Sequence, residues 1–427
     1  MTATSILAVL GRRVWDSRGR PTVEAEVALE GGAVGRAIAP AGASTGSGEA
    51  VDLRDGGPAF GGFDVTRPIA HIAGEIASSL HGLDATDQAV VDHALIESDG
   101  TANKSRLGGN ALIAVSMAVA QAAAAAADVP LWHWLSGGVA GRLPFPEIQI
   151  FGGGAHAARR VDIQDFMVMV PRARSFAEAL DVTAEVYRTA GLLLAENDLL
   201  QGVSDEGGYW PAFASNEEAL DMLVRAIERA GYTPGADVAI SLDIAASSFG
   251  AGGRYRLTLD DLVLDTDGLI EMLLGWIARY PIVSVEDPVA EDDGEGFRRF
   301  TAAVSERVQV IGDDFLVTNA ARVRAAAAAR IVTGALIKPN QAGTLTETKA
   351  ALDAARAAGL ATIVSARSGE SEDTTIVHLA VGWDAGQLKV GSFARSERMA
   401  KWNEGLRIAE ALGSRGRFAG MGALALR

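Results

Sequence analysis

The segment from Gly334 to Asp373 reads GALIKPNQAGTLTETKAALDAARAAGLATIVSARSGESED, and it predicts a strand, a helix and a second strand, with charged residues after both strands. The first apolar run ends at Lys338, a helical pattern begins near Leu345, and the second apolar run leads into Arg367. Side chains at the carboxyl ends of strands in α/β folds face the functional site. Lys338 is therefore expected to be a base or an anchor for an anion. The alternative, to which we give equal weight, is that Lys338 is a solvated surface lysine.

Length, composition and charge exclude several classes of protein. The 427 residues are 48% hydrophobic and 22% charged, which is typical of a soluble globular protein with two or three domains, or of one large barrel with a smaller unit. No apolar run approaches the ~18 residues of a membrane span, and there is no secretory signal. The absence of cysteine excludes disulfides and favours a cytoplasmic location. The net charge of −16 disfavours nucleic-acid and membrane partners, so an anionic substrate needs local Lys and Arg side chains or metal ions.

The first third of the chain predicts an α+β domain, which we place at residues 1–138. Val23–Leu29 alternates apolar and polar residues before Gly31-Gly32, which predicts an antiparallel hairpin. Residues 39–50, APAGASTGSGEA, form either a mobile loop or a lid whose hydroxyl groups reach a phosphate or a metal ion. Helical patterns follow, including an alanine-rich helix over Ala111–Ala127.

Residues 139–427 alternate short apolar strands with amphipathic helices. This alternation predicts a parallel sheet, and the number of strands favours a closed barrel over a doubly wound open sheet. The predicted strands are Phe166–Val170, Val238–Leu242, Ile282–Val285, Val308–Ile311, Ala335–Ile337 and Ala361–Val364. The glycine-rich signatures of nucleotide-binding folds are missing from the sequence, which argues against a nucleotide-binding domain.

Three carboxylates follow three successive predicted strands: Asp243, Glu286 and Asp313. One such residue is most often a helix cap or a solvated loop group. Three around one barrel mouth would repel each other strongly, so they require a cation. A set of oxygen ligands without His or Cys predicts a hard metal ion, and Mg²⁺ is the first candidate.

The same pattern predicts acid–base chemistry next to the ion. A lysine beside a divalent cation has its neutral form favoured, so Lys338 can act as a base. If the substrate carboxylate binds the metal, the proton on the adjacent α-carbon becomes more acidic, because the metal stabilises the negative charge that forms. A general acid is then needed on the opposite face for a β leaving group, and Asp205-Glu206 on a glycine-rich loop is the candidate.

Longer motifs accompany these residues over nearly the whole chain. They are Asp16-Ser17-Arg18-Gly19, Ala43-Ser44-Thr45-Gly46, Lys104-Ser105-Arg106-Leu107-Gly108, Asp205-Glu206-Gly207-Gly208, Glu286-Asp287-Pro288, Gly312-Asp313-Asp314 and the segment Ser392–Arg398. With them the chain resembles the enolase family of 2-phosphoglycerate hydro-lyases. The resemblance implies an α/β fold, an enolase-type (β/α)8 barrel whose first strands are partly antiparallel, with an N-terminal α+β capping domain. It also implies a homodimer or a ring of dimers.

The resemblance further implies a role for each site residue. Asp243, Glu286 and Asp313 would be Mg²⁺ ligands, and Ser44 would bind a second Mg²⁺. Lys338 would be the base and Glu206 the acid. Arg367 and Ser368 would bind the phosphate, Lys389 would bind the carboxylate, and His156 would close over the phosphate. A lysine base with one or two Mg²⁺ ions is a general pattern of the enolase superfamily rather than a deduction from this sequence.

The chain departs from the family pattern inside the site. Ordinary enolases have Ser-His-Arg-Ser-Gly-Glu where this chain has Ala366 in place of the His, and Gln-Glu-Phe where it has Gln164-Asp165-Phe166. We expect Gln164, Asp165 and Ala366 to line a reshaped substrate pocket, because losing the imidazole leaves room for one small substituent. If that substituent is anionic, the tandem Arg159-Arg160 could meet it, although two solvated arginines are an equal alternative.

Our principal hypothesis is therefore a specialised biosynthetic relative. Its substrate would be a phosphorylated or phosphono-substituted hydroxy acid with an additional carboxylate, and its product of the carboxyphosphonoenolpyruvate type, as in phosphonate antibiotic biosynthesis. One alternative is ordinary glycolytic enolase, and another is a non-catalytic homologue with a binding role. Intact Lys338 and Glu206 argue against the last alternative.

Overall fold

The computed structural model describes residues 1–43, 45–139, 141–304 and 306–426. The chain begins with a three-stranded antiparallel sheet, in which β1 (Ile6–Trp15) and β3 (Val34–Ile38) flank β2 (Pro21–Leu29). The predicted hairpin is confirmed, since β2 and β3 pair on either side of the Gly31-Gly32 turn. Gly32 has a φ of 87°, which favours glycine at this turn.

Five helices follow the sheet: α1 (Thr66–His71), α2 (Ala77–Leu80), α3 (Gln88–Asp99), α4 (Gly109–Ala126) and α5 (Leu131–Leu135). The long α4 was predicted within two residues at either end, and it packs across the sheet. A Cβ atom at Gly35 of β3 would lie 2.1 Å from the carbonyl oxygen of Ala118, so only glycine allows this close approach. By length and composition α4 could cross a membrane, but 83% of it is buried inside the protein, as in a core helix.

The second part of the chain forms a ring of eight strands. They are β4 (Phe145–Gly152), β5 (Asp165–Met169), β6 (Ala239–Asp243), β7 (Ile282–Glu286), β8 (Gln309–Gly312), β9 (Gly334–Ile337), β10 (Ala361–Ser365) and β11 (Gln387–Ser392). The ring closes because β11 pairs with β4, which excludes the open sheet. Since β5 is antiparallel to both β4 and β6, the expected partly antiparallel start is also confirmed.

Helices and short strands surround this ring. The helices are α6 (Phe176–Glu196), α7 (Asn216–Arg229), α8 (Thr266–Arg279), α9 (Gly294–Val304), α10 (Ala320–Ala328), α11 (Pro339–Ala342), α12 (Leu345–Ala357), α13 (Thr375–Gly382) and α14 (Ser396–Leu412). The short strands are Arg142–Leu143, Leu200–Val203, Tyr209–Pro211, Gly250–Ala251, Arg254–Leu257, Leu262–Asp265 and Arg417–Phe418. The proposed division after residue 138 falls between α5 and the first short strand, and it stays a prediction.

Local sequence sets where several barrel helices begin. Ser175, Ser215 and Thr344 each accept a hydrogen bond from the backbone N–H of a glutamate three residues later, at the start of α6, α7 and α12. This spacing of Ser or Thr with Glu is the capping box, and each such cap contributes about 1 kcal/mol. The caps therefore fix where each helix leaves the loop that precedes it.

Candidate active site

The three predicted metal-binding carboxylates lie side by side at the carboxyl ends of neighbouring strands. Asp243 and Glu286 are the last residues of β6 and β7 and lie opposite each other in the strand register, while Asp313 directly follows β8. Their exposed fractions are 2%, 1% and 7%. Strand pairing thus brings the three carboxylates together and removes them from bulk water.

Two buried lysines form ion pairs with these three carboxylates. The Nζ atom of Lys389 lies 2.8 Å from both Asp243 Oδ2 and Glu286 Oε2, and the Nζ atom of Lys338 lies 2.5 Å from Asp313 Oδ2. Burial alone would lower the pKa of either lysine, but the neighbouring carboxylates outweigh burial and raise both pKa values. Conversely, burial and the charge of Asp243 raise the pKa of Glu286 well above its ordinary value.

The chemistry of the donor set fits a hard divalent cation. All three side chains offer carboxylate oxygens, the ligands that Mg²⁺ prefers. Glu286 Oε1 is buried and has no hydrogen-bond partner among the residues that the structure describes. An ion at this place would satisfy that oxygen and replace the ammonium groups as the source of positive charge.

A second acidic cluster lies beside the first and has a structural role. Asp287, Asp313 and Asp314 have carboxylate oxygens within 4.8 Å of one another. Asp287 accepts hydrogen bonds from the backbone N–H groups of Asp313 and Asp314, at 2.9 and 2.8 Å. Asp287 therefore shapes the turn that presents Asp313 to the barrel mouth.

Glu206 lies with His156 and Asp165 in another buried group. His156 Nδ1 is 3.7 Å from both Asp165 Oδ1 and Glu206 Oε1. Burial raises the pKa of Asp165 to about 6, with a further contribution from the charge of Glu206. Burial would also raise the pKa of Glu206, but the positive charges of His156, Arg398 and Lys389 outweigh it and lower that pKa. Glu206 is therefore the more readily ionised of the two carboxyl groups, and Asp165 is the more readily protonated.

Arg367 and Ser368 follow β10 and form the cationic end of the site. Arg367 is 4% exposed, and its guanidinium donates to Glu49 and to Asn340 Oδ1. The buried Arg398 donates to the carbonyl oxygens of Arg367 and Ser368, at 2.7 and 2.6 Å. This bonding fixes the loop that carries both predicted phosphate-binding residues.

Most of the predicted site residues meet at one small cavity of about 20 Å³. The predicted residues that line it are His156, Gln164, Asp165, Glu206, Asp243, Lys338, Ala366, Arg367, Ser368 and Lys389. Glu286 and Asp313 join it through their contacts with the two lysines. The cavity has room for about one water molecule.

Two predicted residues are not placed at this cavity. Arg159 is exposed, has a left-handed φ of 58°, and donates to the carbonyl oxygen of Ser248 at 2.9 Å. Arg159 is therefore not among the residues that line the cavity, and its expected contact with a substrate anion stays a prediction. Ser44 lies outside the described residues, so its expected role at a second Mg²⁺ stays a prediction.

Sequence reasoning missed several residues that hold the site together. Gln149 donates to Asp165 Oδ1 and accepts from the backbone N–H of Gly208, so it ties Asp165 to the loop that carries Glu206. Gln341 donates to Asp313 Oδ1 at 2.9 Å. The position of Gln341 one helical turn after Lys338 was the available signal, whereas Gln149 lies on a strand that the sequence pattern did not reveal.

Comparisons with known proteins agree with the whole architecture. The family profile described as enolase, N-terminal domain, matches residues 6–135, and that described as enolase, C-terminal TIM barrel domain, matches residues 140–426. A protein of Desulfitobacterium hafniense named Enolase 1 is 47% identical over 428 residues, covering 100% of this chain and 98% of the relative. A protein of Rubrobacter xylanophilus named Enolase is 48% identical over 421 residues, covering 98% of each chain. The chain therefore belongs to the enolase family.

Proposed function

We propose that this enolase-family hydro-lyase catalyses the ordinary enolase reaction, the Mg²⁺-dependent dehydration of 2-phosphoglycerate to phosphoenolpyruvate. The observation that carries the proposal is the shared cavity, where Lys338, Glu206 and Arg367 meet beside the carboxylates. The full-length similarity to proteins named enolase supports this reaction better than the specialised biosynthetic function that we expected from the sequence.

In the proposed reaction, Lys338 removes the α-proton of the substrate and Glu206 protonates the departing β-hydroxyl group. The electron pair of the broken C–H bond first stays on the substrate, delocalised into its carboxylate, and it then forms the double bond when the C–O bond breaks and water leaves. Asp243, Glu286 and Asp313 would hold Mg²⁺, which supplies stabilisation of the negative charge that develops on the substrate carboxylate. Arg367 and Ser368 would bind the phosphate group and Lys389 the carboxylate.

His156, Gln164 and Asp165 would complete the pocket on the side of Glu206. His156 Nδ1 lies 3.7 Å from a carboxylate oxygen of both Glu206 and Asp165, so His156 and Asp165 set the electrostatic surroundings of the proposed acid. Gln164 donates to Asp243 Oδ2 at 2.9 Å and thereby orients that carboxylate. We further propose a cytoplasmic homodimer or ring of dimers, which sedimentation of the purified protein would test.

A second candidate function is the specialised lyase for a carboxyphosphono-substituted hydroxy acid. The observation in its favour is Ala366, which presents only a methyl group to the cavity. The full-length similarity to proteins named enolase and the contact of Arg159 with Ser248 weigh against it. It therefore ranks below the ordinary reaction.

The deciding experiment compares the two substrates with the native protein and Mg²⁺. Turnover of 2-phosphoglycerate at about 10–100 per second, followed by enol absorbance and phosphorus NMR, is expected for the ordinary reaction. Faster turnover of the carboxyphosphono analogue would instead assign the specialised function.

Replacing Ala366 by histidine separates the two functions further. The imidazole fills the space next to Arg367 and Ser368, so Ala366→His is expected to lower kcat/KM for the bulkier analogue by about 10–100-fold relative to 2-phosphoglycerate. The control is Ala366→Ser, which adds little volume and should leave the ratio of the two kcat/KM values unchanged. An equal loss on both substrates in Ala366→His would show that position 366 does not discriminate between them.

Chelating Mg²⁺ is expected to abolish turnover and to leave the fold intact. The reason is that each of the three carboxylates already contacts the ammonium group of Lys389 or Lys338, so each keeps a cationic partner when the metal is removed. Activity should return when Mg²⁺ is added back, and far-UV circular dichroism should be the same before and after chelation. Loss of the native spectrum on chelation would contradict this expectation.

A further inference from the structure

The carboxylate of Glu49, which has no part in the proposed chemistry, joins three separate parts of the site. Its side chain is 6% exposed and lies opposite that of Arg367, which is 4% exposed. Arg367 Nη1 donates to Glu49 Oε2 at 2.9 Å, and Nη2 donates to Oε1 at 3.2 Å. Two parallel hydrogen bonds of this kind fix both the position and the plane of a guanidinium group.

The same carboxylate holds residues 45–50 of the loop predicted as a lid, and we call these residues the lid. Glu49 Oε1 also accepts a hydrogen bond from the backbone N–H of Gly46 at 3.0 Å. The lid is seated closely on the segment after Asp313, since a Cβ atom at Gly46 would lie 2.6 Å from Val317 Cγ1. Glu49 therefore connects the seated lid directly to the guanidinium of Arg367.

A third contact reaches the carboxylates of the proposed metal site. Gln341 Nε2 lies 3.3 Å from Glu49 Oε1 and donates to Asp313 Oδ1 at 2.9 Å. The other end of the same amide, Gln341 Oε1, accepts from Thr318 Oγ1 at 2.6 Å. The position of Glu49 is therefore fixed from the lid, from Arg367 and from the side of Asp313.

We propose that Glu49 is a positioning residue that couples the bound position of the lid to the orientation of Arg367. The inference rests on the proposed function in one respect, namely that Arg367 binds the phosphate group of the substrate. Glu49 and an incoming phosphate both attract the same guanidinium, so the carboxylate lowers anion affinity while it orders the site. Catalysis gains from this order, because small misplacements of a binding group reduce turnover strongly.

This balance predicts opposite effects on binding and on turnover in Glu49→Gln. The variant keeps the size of the side chain but removes its charge and one acceptor oxygen. We expect inorganic phosphate to bind about 3–10-fold more tightly, because a buried negative charge beside Arg367 is removed. We expect kcat for 2-phosphoglycerate to fall about 10–100-fold, because the guanidinium and the lid are no longer held together.

The experiment measures three quantities on the full-length protein in Mg²⁺. Calorimetry gives the Kd of inorganic phosphate, steady-state kinetics gives kcat and KM for 2-phosphoglycerate, and hydrogen–deuterium exchange gives the protection of a peptide that covers the lid. Exchange of the lid peptide should be about tenfold faster in Glu49→Gln, because the Gly46 N–H loses its charged acceptor.

Two further variants separate charge from contact. Glu49→Asp keeps the charge but shortens the side chain, so phosphate affinity should stay near the native value while kcat falls. Glu291 accepts hydrogen bonds from Ser47 of the lid, so Glu291→Gln should speed exchange of the lid peptide without changing phosphate affinity. A purely structural role for Glu49 would instead weaken phosphate binding and turnover together.

Unchanged lid exchange, unchanged kcat or weaker phosphate binding in Glu49→Gln would each overturn the proposal. The phosphate and exchange measurements do not depend on turnover. If the native protein fails to dehydrate 2-phosphoglycerate while these two measurements behave as expected, the proposed function is wrong and the coupling by Glu49 stands.

Discussion

Replacing Lys338 by alanine is expected to stop exchange of the substrate α-proton with deuterated solvent and to lower kcat by about 10⁴-fold. Lys338 directly follows β9, is buried, and presents its Nζ atom to the cavity that also holds Glu206. A positioned general base contributes up to about this factor, and alanine offers no group that can accept the proton. NMR of 2-phosphoglycerate in deuterated buffer measures the exchange directly.

The matched comparison is Glu206→Gln, which removes the proposed acid and keeps the base. This variant should continue to exchange the α-proton but should fail to release the β-hydroxyl group. Equal loss of exchange in both variants would show that the two roles are not divided between Lys338 and Glu206. Lys338→Ala also leaves Asp313 without its ammonium partner, at a cost of about 3–5 kcal/mol, so both variants need a thermal unfolding measurement with Mg²⁺ present.

The second large effect is expected when any of the three barrel-mouth carboxylates loses its charge. Asp243→Asn, Glu286→Gln and Asp313→Asn should each weaken Mg²⁺ binding by more than about 100-fold. Even residues that only orient metal ligands cost about 10–100-fold when they are replaced, so a ligand itself should cost more. Calorimetric titration with Mg²⁺ and the Mg²⁺ dependence of turnover give the two measurements.

A surface carboxylate provides the control for this series. Glu295 forms an exposed ion pair with Arg298 on α9 and has no role in the proposed chemistry. Glu295→Gln should therefore leave Mg²⁺ affinity unchanged. The proposed metal site would have to be abandoned if all three barrel-mouth variants kept native Mg²⁺ affinity.

Much of the barrel could be predicted from the sequence because most of its strands are short apolar runs. The six predicted strands all exist, each displaced by no more than one residue at either end. The first strand, β4, could not be predicted in this way. It begins with Phe145-Pro146 and carries Glu147 and Gln149, which are fully buried polar residues inside the ring. A pattern of apolar residues does not reveal a strand whose inward face is polar.

The site was predictable to the extent that its residues end strands. Asp243, Glu286 and Lys338 come together because neighbouring parallel strands end at the same edge. The position of Arg159 was not predictable, because Ala158 and Arg159 adopt a left-handed backbone and the Arg159 side chain donates to the carbonyl oxygen of Ser248. Contacts between distant segments, such as Glu49 with Arg367, have no signal in local sequence.

The pairing of β4 with β11 has a consequence for how the chain folds. This pair joins residue 145 to residue 387, so it closes a very long loop, and closing such a loop costs more chain entropy than pairing neighbouring strands. Contacts of this sequence separation slow folding and form after local ones. Lys389 lies on β11, and Gln149, which holds Asp165, lies on β4. A nascent chain that has completed every helix but not this last pairing would therefore have a nearly finished barrel and no assembled binding site.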